Sequence, residues 1–65
     1  RPLDKERAEA ISRELMLLLG KHNTLSIAHA VNSIRYPRNQ VVEVMRRLID
    51  EGIIRSNGVD ISSCE

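Results

Sequence analysis

The dipeptide Asn57-Gly58, which separates two short β-rich runs near the C-terminus, constrains the fold of this chain more than any other feature. Asn-Gly is the strongest short-range signal for a β hairpin, because both residues accept the positive φ angles of a tight two-residue turn. We therefore predict a short hairpin over residues 53–62. A two-residue turn would pair Ser56 with Val59, Arg55 with Asp60, and Ile54 with Ile61.

A first helix is predicted near the N-terminus. Asp4 suits the capping position, and Gly20 is a typical helix stop. Between them, apolar residues recur at the spacing of one helical face. They are Ala8, Ile11, Leu15, Leu18 and Leu19.

Two further helices are predicted between this helix and the hairpin. Thr24-Leu25 fits a stub of strand, and Ser26 can cap a short second helix. Pro37 interrupts that helix and suits the first turn of a third helix, which we predict over residues 37–51 with Gly52 as its stop. The apolar stripe of the third helix is Val41, Val44, Met45 and Leu48.

The length of 65 residues predicts a single domain, residues 1–65, at the small end of what folds alone. The longest apolar run is five residues, against the roughly 18 to 20 that a membrane span needs. The chain begins at Arg1 without a methionine and shows no signal peptide, so we expect a domain of a longer protein. One cysteine, Cys64, fits a reducing compartment, so we expect an intracellular location in cytoplasm, nucleoid or nucleus.

Charge is distributed unevenly along the chain. Ten basic and nine acidic residues give a net charge of +1, too small to indicate a nucleic-acid partner by itself. Yet no acidic residue lies between Glu14 and Glu43, an interval that holds basic residues and both histidines. Chance and a functional polarity both remain open as explanations. Tyr36 is the one aromatic residue, which argues against the stacking surfaces of single-strand binders.

The order of predicted elements resembles that of the winged helix-turn-helix superfamily. The residues that occupy its usual apolar, turn and glycine positions are Ile34, Tyr36, Val41, Val44, Met45, Leu48, Gly52 and Ile54. The resemblance implies an α+β, mainly helical fold in which three helices pack on a small antiparallel sheet. It also implies that residues 37–51 form a recognition helix and residues 53–62 the wing. Arg35 and Pro37 depart from the glycine and the Ser or Thr cap that many members carry there.

The superfamily contains both DNA-binding and protein-binding members, so the resemblance leaves two functions open. The first is binding of double-stranded DNA through the recognition helix, as a module of a larger DNA-handling or regulatory protein. The alternative is a protein-interaction domain that receives a partner helix or peptide. A short wing favours the alternative, or DNA binding that depends on dimers or tandem copies.

Residues of the third helix have the chemistry of base recognition. Arginine can contact guanine, asparagine and glutamine can contact adenine, and Val42 could touch a thymine methyl group. Arg47 can instead pair with Glu43 one turn earlier, as an ordinary support of the helix. The predicted DNA-contacting residues are Arg35, Arg38, Asn39, Gln40, Val42, Arg46, Arg47 and Arg55.

Three apolar residues fall outside the expected core faces. Met16 and Leu17 exceed one face of the first helix, and Ile49 occupies a position that is usually polar in this fold. They predict a surface for a protein partner or a second copy of the chain, although isolated apolar residues on surfaces are common.

Catalysis and metal binding are not expected. His22 and His29 have no acidic or cysteine ligands at suitable spacing. The chain lacks a nucleophile elbow, a glycine-rich phosphate loop and a Cys-His arrangement. We therefore expect no enzyme activity, cofactor, small-molecule substrate or membrane partner.

Overall fold

A computed structural model describes residues 2–64, so Arg1 and Glu65, the ends of the predicted domain, lie outside the described residues. Three helices and a three-stranded antiparallel sheet follow one another in the predicted order. The elements are α1 (Lys5–His22), β1 (Thr24–Ser26), α2 (Ile27–Ser33), α3 (Arg38–Asp50), β2 (Ile54–Ser56) and β3 (Asp60–Ser63). The α+β, mainly helical winged-helix architecture expected from the sequence is therefore confirmed.

The first helix begins where predicted but ends later. The Asp4 side chain accepts a hydrogen bond of 2.8 Å from the Arg7 backbone N–H, as an N-cap should. Gly20 does not stop the helix, because a glycine within a helix costs only about 1 kcal/mol relative to alanine. The stop is Asn23, whose φ of 60° is left-handed and whose N–H donates to the Leu19 carbonyl at 2.9 Å. The predicted end at Gly20 is therefore wrong, because α1 continues to His22.

The second and third helices follow from the local sequence. The Ser26 hydroxyl accepts a hydrogen bond of 3.0 Å from the His29 N–H and so caps α2. Pro37 occupies the N-cap of α3, where its carbonyl accepts from the Gln40 and Val41 amides. Gly52, with φ of 77°, lies just beyond the C-terminal end of α3.

The sheet has the order β1-β3-β2, so the hairpin is joined by the strand stub on its β3 side. Thr24 pairs with Ser62, and Leu25 with Ile61. This antiparallel pairing ties the short link after α1 to the C-terminal end of the chain. The predicted stub at Thr24-Leu25 is confirmed.

The hairpin register differs by two residues from the prediction. Ser56 pairs with Ile61 and Arg55 with Ser62, and the turn is centred on Gly58-Val59 instead of Asn57-Gly58. The Asn57 side chain causes the shift. Its Oδ1 accepts hydrogen bonds from the Val59 N–H at 2.9 Å and from the Asp60 N–H at 2.8 Å. A shift of two leaves every strand side chain on its predicted face.

All three helices and the sheet share one aliphatic core. α1 and α3 supply most of it, and the hairpin closes it from one side. None of its fully buried residues is aromatic, and Tyr36 packs only against its edge, so the core depends on many small contributions. The buried residues are Ile11, Leu15, Leu19, Leu25, Ala30, Ile34, Val41, Val44, Met45, Leu48, Ile54 and Ile61.

Candidate nucleic-acid interface

The solvent-exposed side of α3 brings together most of the residues predicted to contact DNA. Helical geometry places residues four apart on one face, so Arg38, Val42 and Arg46 align along it. Asn39 and the partly exposed Ile49 flank that row, and all five side chains lie away from the buried stripe. We call Arg38, Asn39, Val42, Arg46 and Ile49 the outer face of α3.

The polar side chains of this face have no bonding partner among residues 2–64. Within residues 2–64, none of the five makes a side-chain hydrogen bond or an ion pair. Val42 is 40% exposed, so its side chain is accessible to a ligand. The face therefore offers a guanidinium, an amide and an aliphatic contact within two turns of one helix.

The prediction that Gln40 contacts a base needs correction. Its side chain is only 6% exposed and is turned toward α1, where Gln40 Oε1 accepts a hydrogen bond of 3.1 Å from Arg7 Nη1. Position 40 belongs to the edge of the buried stripe rather than to the outer face. A buried amide that is hydrogen-bonded in this way supports the fold and is not available to a ligand.

Arg7 holds the beginning of α3 in place, a role that the sequence did not reveal. Besides its bond to Gln40, its guanidinium lies over the Tyr36 ring at 5.2 Å from the centroid. Arg7 thus links α1 to both the turn before α3 and the first turn of α3. Its two partners are about thirty residues away in the chain, and no local sequence signal connects them.

Arg47 lies apart from the outer face of α3. Its Nε donates to Glu43 Oε2 at 3.3 Å, the ion pair that the sequence offered as an alternative to DNA contact. Both side chains are about half exposed, so solvent screens the pair. Arg47 also lines an open groove, about 550 Å³ in volume, between the N-terminal half of α1 and the C-terminal half of α3.

The remaining basic candidates occupy two other places. Arg35 is exposed in the turn that precedes α3. Arg55 projects from β2, and its Nε donates to Ser62 Oγ at 3.3 Å instead of contacting Asp60, its predicted cross-strand neighbour. Arg35 is therefore adjacent to the N-terminal end of α3, whereas Arg55 is held by the hairpin itself.

The three predicted interface residues do not form one surface. Met16 is partly buried and packs against the core. Leu17 is 59% exposed on α1, on the side opposite the core stripe, while Ile49 is 39% exposed on the outer face of α3. Leu17 and Ile49 must therefore be considered separately.

The two histidines lie close to each other but do not form part of a metal-ligand cluster among residues 2–64. His22 and His29 approach each other edge to face, with ring centroids 6.0 Å apart. Within residues 2–64, no three or more His, Cys, Asp or Glu side chains come close enough to hold a metal ion together. No helix in the same span is long and apolar enough to cross a bilayer.

Comparison with known proteins gives a fold and no family. No model of a known protein family matches the chain, and no curated protein matches it either. Among solved structures, the chain is similar to the solution structure of a DNA binding protein from Sulfolobus islandicus, with a TM-score of 0.74 and 14% sequence identity. The alignment covers 85% of this chain and 93% of the other. At this identity the likeness concerns the fold alone.

Proposed function

We propose that the domain binds double-stranded DNA through the outer face of α3. The observation that carries the proposal is the alignment of Arg38, Asn39, Val42 and Arg46 on one exposed helical face with no partner among the described residues. An α-helix fits the major groove, where these chemistries meet base edges and phosphates. Similarity of fold to a DNA binding protein from Sulfolobus islandicus supports the same reading.

Each side chain has a distinct role in this proposal. Arg38 and Asn39 lie in the first turn of α3 and reach base edges, arginine toward guanine and asparagine toward adenine. Val42, one turn later, meets a thymine methyl group. Arg35 and Arg46 contact the phosphates on either side of the groove. Gln40 is left out because it is buried and bonded to Arg7, and Arg47 because it pairs with Glu43.

Charge limits the affinity and orients the helix. Asp50 and Glu51 lie at the C-terminal end of α3 and repel phosphates, so the first half of α3 enters the groove. A net charge of +1 provides little general attraction to DNA. We therefore expect weak binding by one domain and stronger binding when several domains act together, as in a larger DNA-handling or regulatory protein.

The test is a titration of the domain into fluorescently labelled duplex DNA of mixed sequence, followed by anisotropy at low and near-physiological salt. Binding should weaken steeply with salt, because phosphate contacts release counterions. The double variant Arg38→Ala/Asn39→Ala should lose most of the binding. Lys5→Ala removes the same unit charge from an exposed position outside the proposed surface, and it should bind nearly as well as wild type.

Two results would contradict the proposal. One is the absence of binding at high micromolar protein in low salt, which would favour the protein-interaction alternative. The other is equal loss of affinity in the double variant and in Lys5→Ala, which would indicate general attraction between charges instead of a site on α3.

A further inference from the structure

The exposed side of α1 carries a pattern that the proposed function does not use. Ile11, Leu15 and Leu19 turn one face of α1 into the core, so the residues about half a turn away face solvent. Leu17 lies at the middle of that solvent side and is 59% exposed. The residues on this side form a set in which Ala10 is half-buried and the others are exposed, and we call it the outer face of α1. It consists of Glu6, Ala10, Arg13, Glu14, Leu17 and Lys21.

The outer face of α1 is self-complementary when the helix is reversed. Counted outward from the peptide bond between Arg13 and Glu14, Ala10 and Leu17 are equally distant, and so are Glu6 and Lys21. Each pair joins a small residue to a large one, or an acid to a base. A two-fold axis through the centre of α1 would therefore bring complementary residues together.

The charges on this face are available to a partner. Within residues 2–64, the one ion pair closer than 4.0 Å joins Glu43 to Arg47, so Glu6 and Lys21 have none. Both are exposed, and along the same face Glu6 lies about one turn from Ala10 and Lys21 about one turn from Leu17. Nothing within the described fold covers Leu17.

From this complementarity we infer that a second copy of the chain docks on the outer face of α1, with the two α1 helices antiparallel. Leu17 of each copy packs over Ala10 of the other, whose small side chain leaves room for it. Glu6 of each copy pairs with Lys21 of the other at both ends of the contact. Arg13 and Glu14 from both copies gather around the axis, where two positive and two negative charges balance.

The reverse orientation is disfavoured by the same residues. Parallel helices in register would place Glu6 beside Glu6 and Lys21 beside Lys21, so that like charges meet at both ends. Leu17 would then meet Leu17, with Ala10 facing Ala10 across a gap. The antiparallel arrangement avoids both problems.

The contact is small, which sets its expected strength. A pair of single helices buries less than the roughly 1,200 Å² typical of stable complexes. We therefore expect a dimer that dissociates on the order of 10⁻⁴ M and that weakens with salt, since its ion pairs are exposed. Such a dimer carries two outer faces of α3, which would strengthen DNA binding by raising effective concentration.

Charge exchange between Glu6 and Lys21 tests the inference without DNA. Sedimentation equilibrium of the 65-residue chain at concentrations up to about 1 mM, in low salt, should show wild-type dimers. Glu6→Lys alone and Lys21→Glu alone should both remain monomers, because like charges then face each other. An equimolar mixture of the two variants should associate again, and so should the double variant Glu6→Lys/Lys21→Glu.

A pair of apolar substitutions provides the matched control. Leu17→Glu should abolish association, whereas Val59→Glu, which alters a valine 68% exposed in the hairpin turn, should leave it unchanged. Circular dichroism melting of every variant checks that the fold is intact. Wild-type monomers at the highest concentration, or a mixture that fails to associate, would overturn the inference. Because no DNA is present, that failure would leave the proposed function untouched.

Discussion

The outer face of α3 and the hairpin are both polar and exposed, yet they use their side chains in opposite ways. On the hairpin, Asn57 accepts two backbone N–H groups, Ser56 accepts the Gly58 N–H, and Arg55 donates to Ser62. On α3, Arg38 and Asn39 make no such bonds within residues 2–64. The contrast has a simple cause.

A tight turn leaves backbone amides that local side chains must satisfy, whereas a helix satisfies its own backbone except at its ends. Polar residues on the hairpin are therefore occupied in making the turn. Arg38 and Asn39 lie in the first turn of α3 but make no side-chain cap bond there, so they are left for a ligand. The difference supports the proposed recognition through α3 and a structural role for the hairpin, and experiments can test both.

The largest expected effect is on DNA affinity, when charge is reversed on the outer face of α3 and, for comparison, on the hairpin. Arg38→Glu should weaken DNA binding by about 100-fold, because it replaces a base contact worth about 1–3 kcal/mol with repulsion of the phosphates. Arg55→Glu, on the hairpin, should weaken it by less than about fivefold through general repulsion alone. Anisotropy titrations at one salt concentration measure both. Equal losses would show that the hairpin shares in recognition.

The next largest effect is on the free energy of unfolding and distinguishes Gln40 from its neighbour Asn39 on α3. Gln40→Ala should lower the free energy of unfolding by about 2 kcal/mol, since it leaves the partly buried Arg7 without its acceptor. Asn39→Ala removes an exposed amide and should change the same quantity by less than about 0.5 kcal/mol. Urea denaturation followed by circular dichroism measures both variants. Similar values would contradict the assignment of Gln40 to the fold.

A third effect tests the turn of the hairpin. Gly58 has φ of 95°, and an alanine there meets no atom within 4 Å but must adopt a left-handed backbone. Gly58→Ala should therefore cost about 1 kcal/mol of unfolding free energy. Gly20→Ala is the control: it lies within α1, also has open space, and should stabilise the protein by about 0.5–1 kcal/mol. A stable Gly58→Ala protein would contradict the turn described.

The smallest effect concerns Arg47. Its exposed pair with Glu43 contributes less than about 0.5 kcal/mol to stability. Arg47→Ala should also change DNA affinity by less than about threefold, because only general charge is lost. Comparing this variant with Arg46→Ala, which removes the same charge from the outer face of α3, isolates the effect of position. A greater loss in Arg47→Ala would enlarge the proposed site beyond that face.

Much of the fold could be predicted because its signals are local. Asp4, Ser26 and Pro37 mark helix starts through chemistry that acts within one turn. Asp4 and Ser26 cap their helices as predicted, whereas Pro37 is the N-cap of α3, one residue before the first turn in which it was predicted. The stop at Gly20 failed because two residue types compete for the left-handed position, and the chain used Asn23. The hairpin register failed because the Asn57 side chain, rather than its backbone, organises the turn.

The candidate site was harder to predict for a geometric reason. Spacing alone showed that Arg38, Val42 and Arg46 share a face, and they do. Spacing could not show which side of α3 is covered by α1, so Gln40 was placed with its exposed neighbours. Arg7 meets Tyr36 and Gln40 only after α1 has packed against α3, and a single sequence holds no record of that contact.

The division of α3 into a buried stripe and an outer face has a consequence for how such a domain can change over time. No residue of the outer face belongs to the core, and Arg7 holds α3 through Gln40, which lies outside that face. Substitutions at Arg38, Asn39 or Val42 should therefore alter which ligand is preferred at almost no cost to folding. If α3 binds DNA as proposed, substitutions on its outer face could change the preferred target while the core stays the same.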